Sequence, residues 1–165
     1  MGRWNITAGL RGEYSDIDMA EGVEPYSKLY LFPSFYSSYK ATDRTAVSCT
    51  YARRIERVSY NLLMPTQYYM SRYTIYTGNP KLRPNIVNER SLSSVIGNKY
   101  SLSLSYIWSD NAISEYNYPS RIGSDIVTVH TAVDGTKRKA LSLNAYIPVT
   151  LTRWWNMICQ GGLLY

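Results

Sequence analysis

The chain has 165 residues, a formal net charge of +6, 45% hydrophobic residues and a mean hydropathy of −0.29. No run approaches the ~20 consecutive apolar residues of a membrane helix. The basic residues stand singly or in short groups, as at Arg53–Arg54 and Lys137–Lys139, which excludes a nucleic-acid-binding stripe.

Seventeen tyrosines and four tryptophans against two phenylalanines put the aromatic content into side chains with an apolar body and a polar tip, which favour boundaries between oil and water. From Trp4 to Tyr14 the residues alternate, with Trp4, Ile6, Ala8, Leu10, Gly12 and Tyr14 on one face and Asn5, Thr7, Gly9, Arg11 and Glu13 on the other. This predicts a strand of the length that crosses a bilayer at a tilt. Ser15 to Pro25, acidic and holding Gly22, predicts an exposed loop. A second strand is expected over Ser27 to Tyr39, where Pro33 points to an edge position. After a short connection at Lys40 to Arg44, Thr45 to Arg54 predicts a third strand, with Val47, Cys49 and Tyr51 on its apolar face.

Ile55 to Pro84 is a long interruption with three prolines and five tyrosines. Ile86 to Ile96 then predicts a strand that turns at Gly97–Asn98 and returns through Tyr100 to Trp108. Here Tyr100, Leu102, Leu104, Tyr106 and Trp108 alternate with serines, as expected for a lipid-facing strand flanked by aromatic girdles. A loop containing Pro119 and Gly123 should lead to a strand over Asp125 to Val133, followed by a turn or bulge at Asp134–Gly135. Strands over Leu141 to Ile147 and Trp155 to Tyr165 follow, joined by a short connection from Pro148 to Arg153. Long and short connections thus alternate along the chain. A soluble sandwich has no reason to sort loop length by end, whereas an asymmetric membrane barrel does. The expected fold is all-β: an antiparallel up-and-down transmembrane β-barrel, present as a partial barrel of about seven strands, with residues 1–165 forming part of one barrel domain.

Three segments carry a family resemblance. Gly78-Asn79-Pro80-Lys81-Leu82-Arg83-Pro84 resembles the GNPxLxP motif of TonB-dependent receptors, in which Gly78, Asn79, Pro80, Leu82 and Pro84 shape the loop. Leu31-Phe32-Pro33-Ser34 and Tyr51-Ala52-Arg53-Arg54-Ile55-Glu56-Arg57, with Tyr60, Leu63 and Pro65, are similar to the LFPS and YxRRIxR segments of the outer-membrane β-barrel family found in those receptors. Val58, Met64 and Asn85 stand where that pattern usually has proline, asparagine and glutamate. The resemblance implies a location in the cell outer membrane and a nutrient ligand of the siderophore or glycan class. It also implies lipid and lipopolysaccharide around the wall, and TonB acting through a plug domain outside these residues. A signal peptide and the remaining strands are likewise expected elsewhere in the protein.

No catalytic constellation, metal site or cofactor is expected. His130 is the single histidine, no motif accompanies it, and Cys49 and Cys159 both fall on apolar strand faces. Asp110, Asp125 and Asp134 lie in or beside turns, where carboxylates cap or solvate. Arg11 and Glu13 are expected to form an inward ion pair. Arg53, Arg54 and Arg57 open the long loop, where they could meet an anionic ligand or lipopolysaccharide phosphate; pinning the loop to its own carbonyls is the plainer expectation. Tyr68, Tyr69, Tyr73 and Tyr76 could stack on a ligand or anchor at the interface. The competing reading is a soluble tyrosine-rich β-sandwich that binds carbohydrate, in which one face of the alternation packs against a second sheet.

Overall fold

A computed structural model describes residues 3–17, 26–152 and 155–165. They form one sheet of nine strands: β1 (Trp4–Ile17), β2 (Tyr26–Thr42), β3 (Thr45–Glu56), β4 (Gln67–Ser71), β5 (Thr74–Thr77), β6 (Asn85–Ile96), β7 (Tyr100–Ile122), β8 (Asp125–Thr152) and β9 (Trp155–Leu164). A single helical turn, α1 (Tyr60–Leu63), lies between β3 and β4. β1, β2, β3, β6, β7 and β8 pair antiparallel in that order, and β9 adds to the far edge of β8. Among the described residues no pairing joins β1 to β9, so the sheet is an open part of a barrel.

Register fixes two faces, because directly opposed residues of paired strands share a side. Leu10, Pro33, Phe35, Tyr51, Arg90, Leu92, Leu104, Leu143 and Leu163 lie on one face. Their neighbours along the strands, such as Arg11, Phe32, Ser34, Thr50, Ser91, Ser105 and Ser142, lie on the other. The apolar face stays bare: Ile6, Leu10, Leu31, Leu92, Leu102, Leu104, Leu141 and Leu163 are all exposed. A sandwich would have covered it with a second sheet, but the described residues form one sheet only. Apolar cover of this extent fits a lipid contact rather than a water surface. Cys49 and Cys159 both lie on this face, opposite Leu92 and Ile147.

Several boundaries differ from the sequence expectation. Asp110 to Ser124 is not a loop: β7 runs on to Ile122 and meets β8 at a Gly123–Ser124 turn. Of the turn or bulge expected at Asp134–Gly135 the structure has the bulge: the pair sits in a zone of register shifts between β7 and β8, and the segments on either side of it are one strand. Pro148 to Thr152, expected to form a connection, lie within that strand, with Pro148 opposite Ile158; Arg153, where the expected connection ends, is outside the described residues. The loop expected at Ser15 to Pro25 loses Ser15 to Ile17 to β1, and residues 18–25 lie outside the description. Pro33 is not on an edge strand, since β2 lies between β1 and β3. The ladder to β3 ends at Ser34, however, so no bond on that side is lost to the proline.

The two ends of the sheet are unlike. At one, β2 and β3 close through Asp43–Arg44, and β6 and β7 through Gly97 to Lys99, where Gly97 and Asn98 have φ of 63° and 56°. These are left-handed conformations that glycine and asparagine accept most readily. The other end carries the 57–84 segment and the extension of the β7–β8 hairpin beyond Ser109.

Candidate functional site

The 57–84 segment is not a free loop. Its β4 and β5 form a hairpin, and β5 adds to β8 in parallel, with Thr74, Ile75 and Tyr76 opposite Thr128, Val129 and His130. Ile75, Val127 and Val129 make a small buried cluster under this addition. The chain then returns from the far edge of β8 to β6 through the Gly78–Pro84 motif.

That return is clamped by hydrogen bonds. Asn79 donates through Nδ2 to the Ala132 carbonyl at 3.0 Å, and its Oδ1 accepts from the Lys81 amide at 3.0 Å. Asp134 accepts from the Arg83 amide at 3.0 Å, while Asn111 Nδ2 reaches the carbonyls of Arg83 and Pro84 at 3.2 and 3.3 Å. Leu82 is buried to 2% exposure. A Cβ on Gly78 would fall 2.2 Å from the Met64 carbonyl oxygen, so only glycine lets the two backbones approach. The motif therefore docks the loop on the β7–β8 extension. Sequence reasoning recognised Gly78, Asn79, Pro80, Leu82 and Pro84 and read Asp134 as a capping or solvated carboxylate, but it did not connect Asp134 or Asn111 with this motif, from which both lie far along the chain.

The tyrosines fall into two rows by register. Tyr69, Ile75, Val129 and Tyr118 share one; Tyr68, Tyr76, His130 and Asn117 share the next. Tyr68, Tyr69 and Tyr73 are 53%, 67% and 53% exposed, whereas Tyr76, between β4 and β8, is half-buried. Tyr116 and Tyr118, from the segment expected to be a loop, stack at 5.9 Å in the same extension. Their spacing of two, Tyr116-Asn117-Tyr118, was the available sign of a strand.

The arginines separate by face. Arg54 and Arg57 do not hold loop carbonyls, as was expected of them, but carboxylates. Arg54 meets Glu89 at 2.6 Å, and Arg57 reaches Glu13 on β1, also at 2.6 Å, beside the Arg11–Glu13 pair at 3.1 Å. Arg11 also sits 5.0 Å from the Phe32 ring. Asn85 donates to Glu56 at 2.9 Å, so the residue that departs from the family pattern removes a like charge beside that carboxylate. Arg53 projects to the apolar face, where its Nε is buried without a hydrogen-bond partner.

No curated protein matches the chain. Among solved structures, the ferric enterobactin receptor of Pseudomonas aeruginosa, crystallised as a mutant, is similar over the whole of this chain, with a TM-score of 0.62 at 16% identity. The chain spans about a quarter of that receptor, 24% of its length, and at this identity the likeness concerns the fold. The outer membrane protein beta-barrel family matches residues 1–165, so the chain belongs to that family, and its sheet is a stretch of barrel wall in the outer membrane.

Proposed function

We propose that this wall segment belongs to a TonB-dependent receptor that captures a scarce nutrient of the siderophore or glycan class at its outer rim and admits it through the barrel. The role is binding and transport rather than catalysis. The observation that carries the reading is the β4–β5 hairpin. A long loop is folded back and clamped to the wall so that Tyr68, Tyr69 and Tyr73 stand exposed on a scaffold, with Tyr116 and Tyr118 stacked on β7 across β8 from it. Ordered, exposed aromatics at a rim offer stacking surface to a catecholate ring or a sugar at small entropic cost. Arg54 and Arg57 are spent on ion pairs, which leaves the tyrosines as the main ligand contacts of this segment. The membrane wall itself follows from backbone chemistry, since unpaired N–H and C=O groups in hydrocarbon cost several kcal/mol each.

The test is a Tyr68→Ser/Tyr69→Ser/Tyr73→Ser variant of the full-length protein containing this segment. Binding is measured against panels of ferric catecholates and oligosaccharides, with folding followed by heat-modifiable gel migration. Loss of binding to one panel at unchanged folding supports the reading. Binding by the wild type that the variant retains would remove these tyrosines from it.

A further inference from the structure

One buried oxygen at the foot of the clamp is left without a donor. Asn85 is 4% exposed, and its Nδ2 donates to Glu56 at 2.9 Å. That bond fixes the planar carboxamide and turns Oδ1 away from Glu56, where it has no hydrogen-bond partner among the described residues. A buried acceptor in this state bears the full cost of its lost hydration, so it calls for a ligand. Asn85 follows Pro84 and stands two residues beyond the Val87–Ser109 pair on β6, as Asn111 does on β7. The register, continued, therefore sets the two asparagines side by side.

Oxygens crowd the other side of Asn111 as well. Its NH2 group has two hydrogens but faces three acceptors: the carbonyls of Arg83 and Pro84 at 3.2 and 3.3 Å and Asp134 Oδ2 at 3.3 Å. All three contacts are longer than the ordinary N–H···O distance of about 2.9–3.0 Å. Asn111 and Asp134 both lie where the β7–β8 ladder shifts register, Asn111 between Ser109 and Ala112 and Asp134 between Val133 and Thr136. Residues in a bulge are released from the ladder and re-aim their side chains, here onto the loop return. The irregularity in the ladder thus falls where the oxygens converge.

The geometry points to a calcium site at the foot of the Gly78–Pro84 return, built from Asp134, the carbonyls of Arg83 and Pro84, Asn85 Oδ1 and the carboxamide oxygen of Asn111. Among the described residues no group of three or more His, Cys, Asp and Glu could hold a metal ion, which leaves a transition metal without its usual ligands. Carboxamide and backbone oxygens with one carboxylate suit a hard ion. Magnesium demands a near-octahedral shell at ~2.0–2.1 Å, whereas calcium takes 6–8 oxygens at ~2.3–2.6 Å in irregular array. The ion takes the position of the Asn111 NH2 group, whose carboxamide turns to offer Oδ1. The three acceptors around that position then draw in by about 1 Å or less. Water completes the shell, since Asn111 and Asp134 are only half-buried. The ion ties the loop return to β6 and to both strands of the extension, whatever nutrient binds at the rim.

The experiment uses the full-length protein containing this segment, purified in detergent, stripped with a chelator and titrated with calcium chloride or magnesium chloride. Hydrogen exchange at the Leu82 and Arg83 amides, read by mass spectrometry, reports on this site rather than on ions bound elsewhere. Calcium should slow that exchange about fivefold or more with a midpoint of about 0.1–1 mM, and magnesium should act only at higher concentration. Asp134→Asn keeps an oxygen for the Arg83 amide but loses the charge, so the midpoint should rise about tenfold. Asn85→Asp puts a carboxylate at the orphan oxygen and should lower the midpoint about tenfold, a gain that a hydrogen-bonding role alone would not give. Asp16→Asn removes an exposed carboxylate at the same end of the sheet, on β1, and should leave the midpoint unmoved. No slowing by calcium, an equal response to magnesium, an unmoved midpoint in either variant of the site, or a shift in Asp16→Asn would each overturn the assignment.

Discussion

Placing arginine at Leu104 tests the face assignment on which everything else depends. Leu104 lies opposite Leu92 on β6 and Leu143 on β8, and it is four residues from both Tyr100 and Trp108. With ~3.3 Å per residue and a tilt of ~40°, it sits about 10 Å from each aromatic girdle, at the middle of the band. A guanidinium there has no water within reach and is too deep for its stem to bring the charge to either interface. Leu104→Arg should therefore cost about 2–4 kcal/mol of folding free energy in a bilayer, the magnitude seen for cations at the midplane of barrels. Ser103 is next in sequence but shares a row with Ser93 and Asn144 on the polar face. Ser103→Arg should cost less than about 1 kcal/mol. The assay is guanidinium-dependent folding of the full-length protein into phospholipid vesicles, followed by heat-modifiable migration on gels. Equal costs for the two variants, or the reverse order, would refute the assignment of the leucine face to lipid.

The clamp on the Gly78–Pro84 segment predicts that Gly78→Ala, which drives a methyl to 2.2 Å from the Met64 carbonyl, costs about 1–3 kcal/mol of local stability. Trypsin cleavage after Arg72 or Lys81 should accelerate while the barrel stays folded. Asp134→Ala removes the acceptor for the Arg83 amide, so hydrogen exchange at that amide should speed up roughly five- to tenfold, and unchanged protection would show that the clamp lies elsewhere. Glu13→Gln leaves Arg11 and Arg57 without their shared carboxylate. Because those side chains are 60% and 65% exposed, global unfolding should shift by no more than about 1 kcal/mol. Residues 1–165 expressed alone should give no monodisperse monomer without detergent, because the bare apolar face and the open edges at β1 and β9 are both adhesive. A sharp monomer peak in plain buffer would contradict that.

What the sequence made legible was the period-2 pattern and the segregation of its faces. Tyr100 to Trp108 reads as a strand because every second residue is large and apolar, and the register pairs those residues with Leu92, Leu141 and Leu143 as the pattern requires. The extension of β7 was not legible, because Asp110, Asn111 and Pro119 are turn formers by local chemistry. Beyond Ser109 the strand pairs with β8 alone, so Pro119 sits at an edge where a missing N–H costs no bond. The docking of β5 on β8 joins residues more than fifty positions apart and has no local trace. The Gly78–Pro84 motif was visible as letters, yet its partners Ala132, Asp134 and Asn111 appear only in three dimensions. Among the candidate ligand residues, composition pointed to tyrosines and arginines alike. Only register separated Arg53 from its neighbour Arg54, one residue being enough to change the face.

That separation gives the wall a charge logic. On the polar face each of Arg11, Arg54 and Arg57 meets a carboxylate within 3.1 Å, so the inward surface is close to self-neutralised along these strands. Such pairs add little stability in contact with water, but they shorten the reach of the field which that face presents. On the outward face, Arg90 lies beside the Tyr51 and Trp108 rings, and neither it nor Arg53 is in an ion pair with a described carboxylate, although Glu89 is adjacent to Arg90 in the chain. The alternation that puts lipid on one side and water on the other thus also sends Glu89 inward to Arg54 and Arg90 outward. A cation kept apart from an adjacent carboxylate by strand geometry is thereby set against the Tyr51 and Trp108 rings instead.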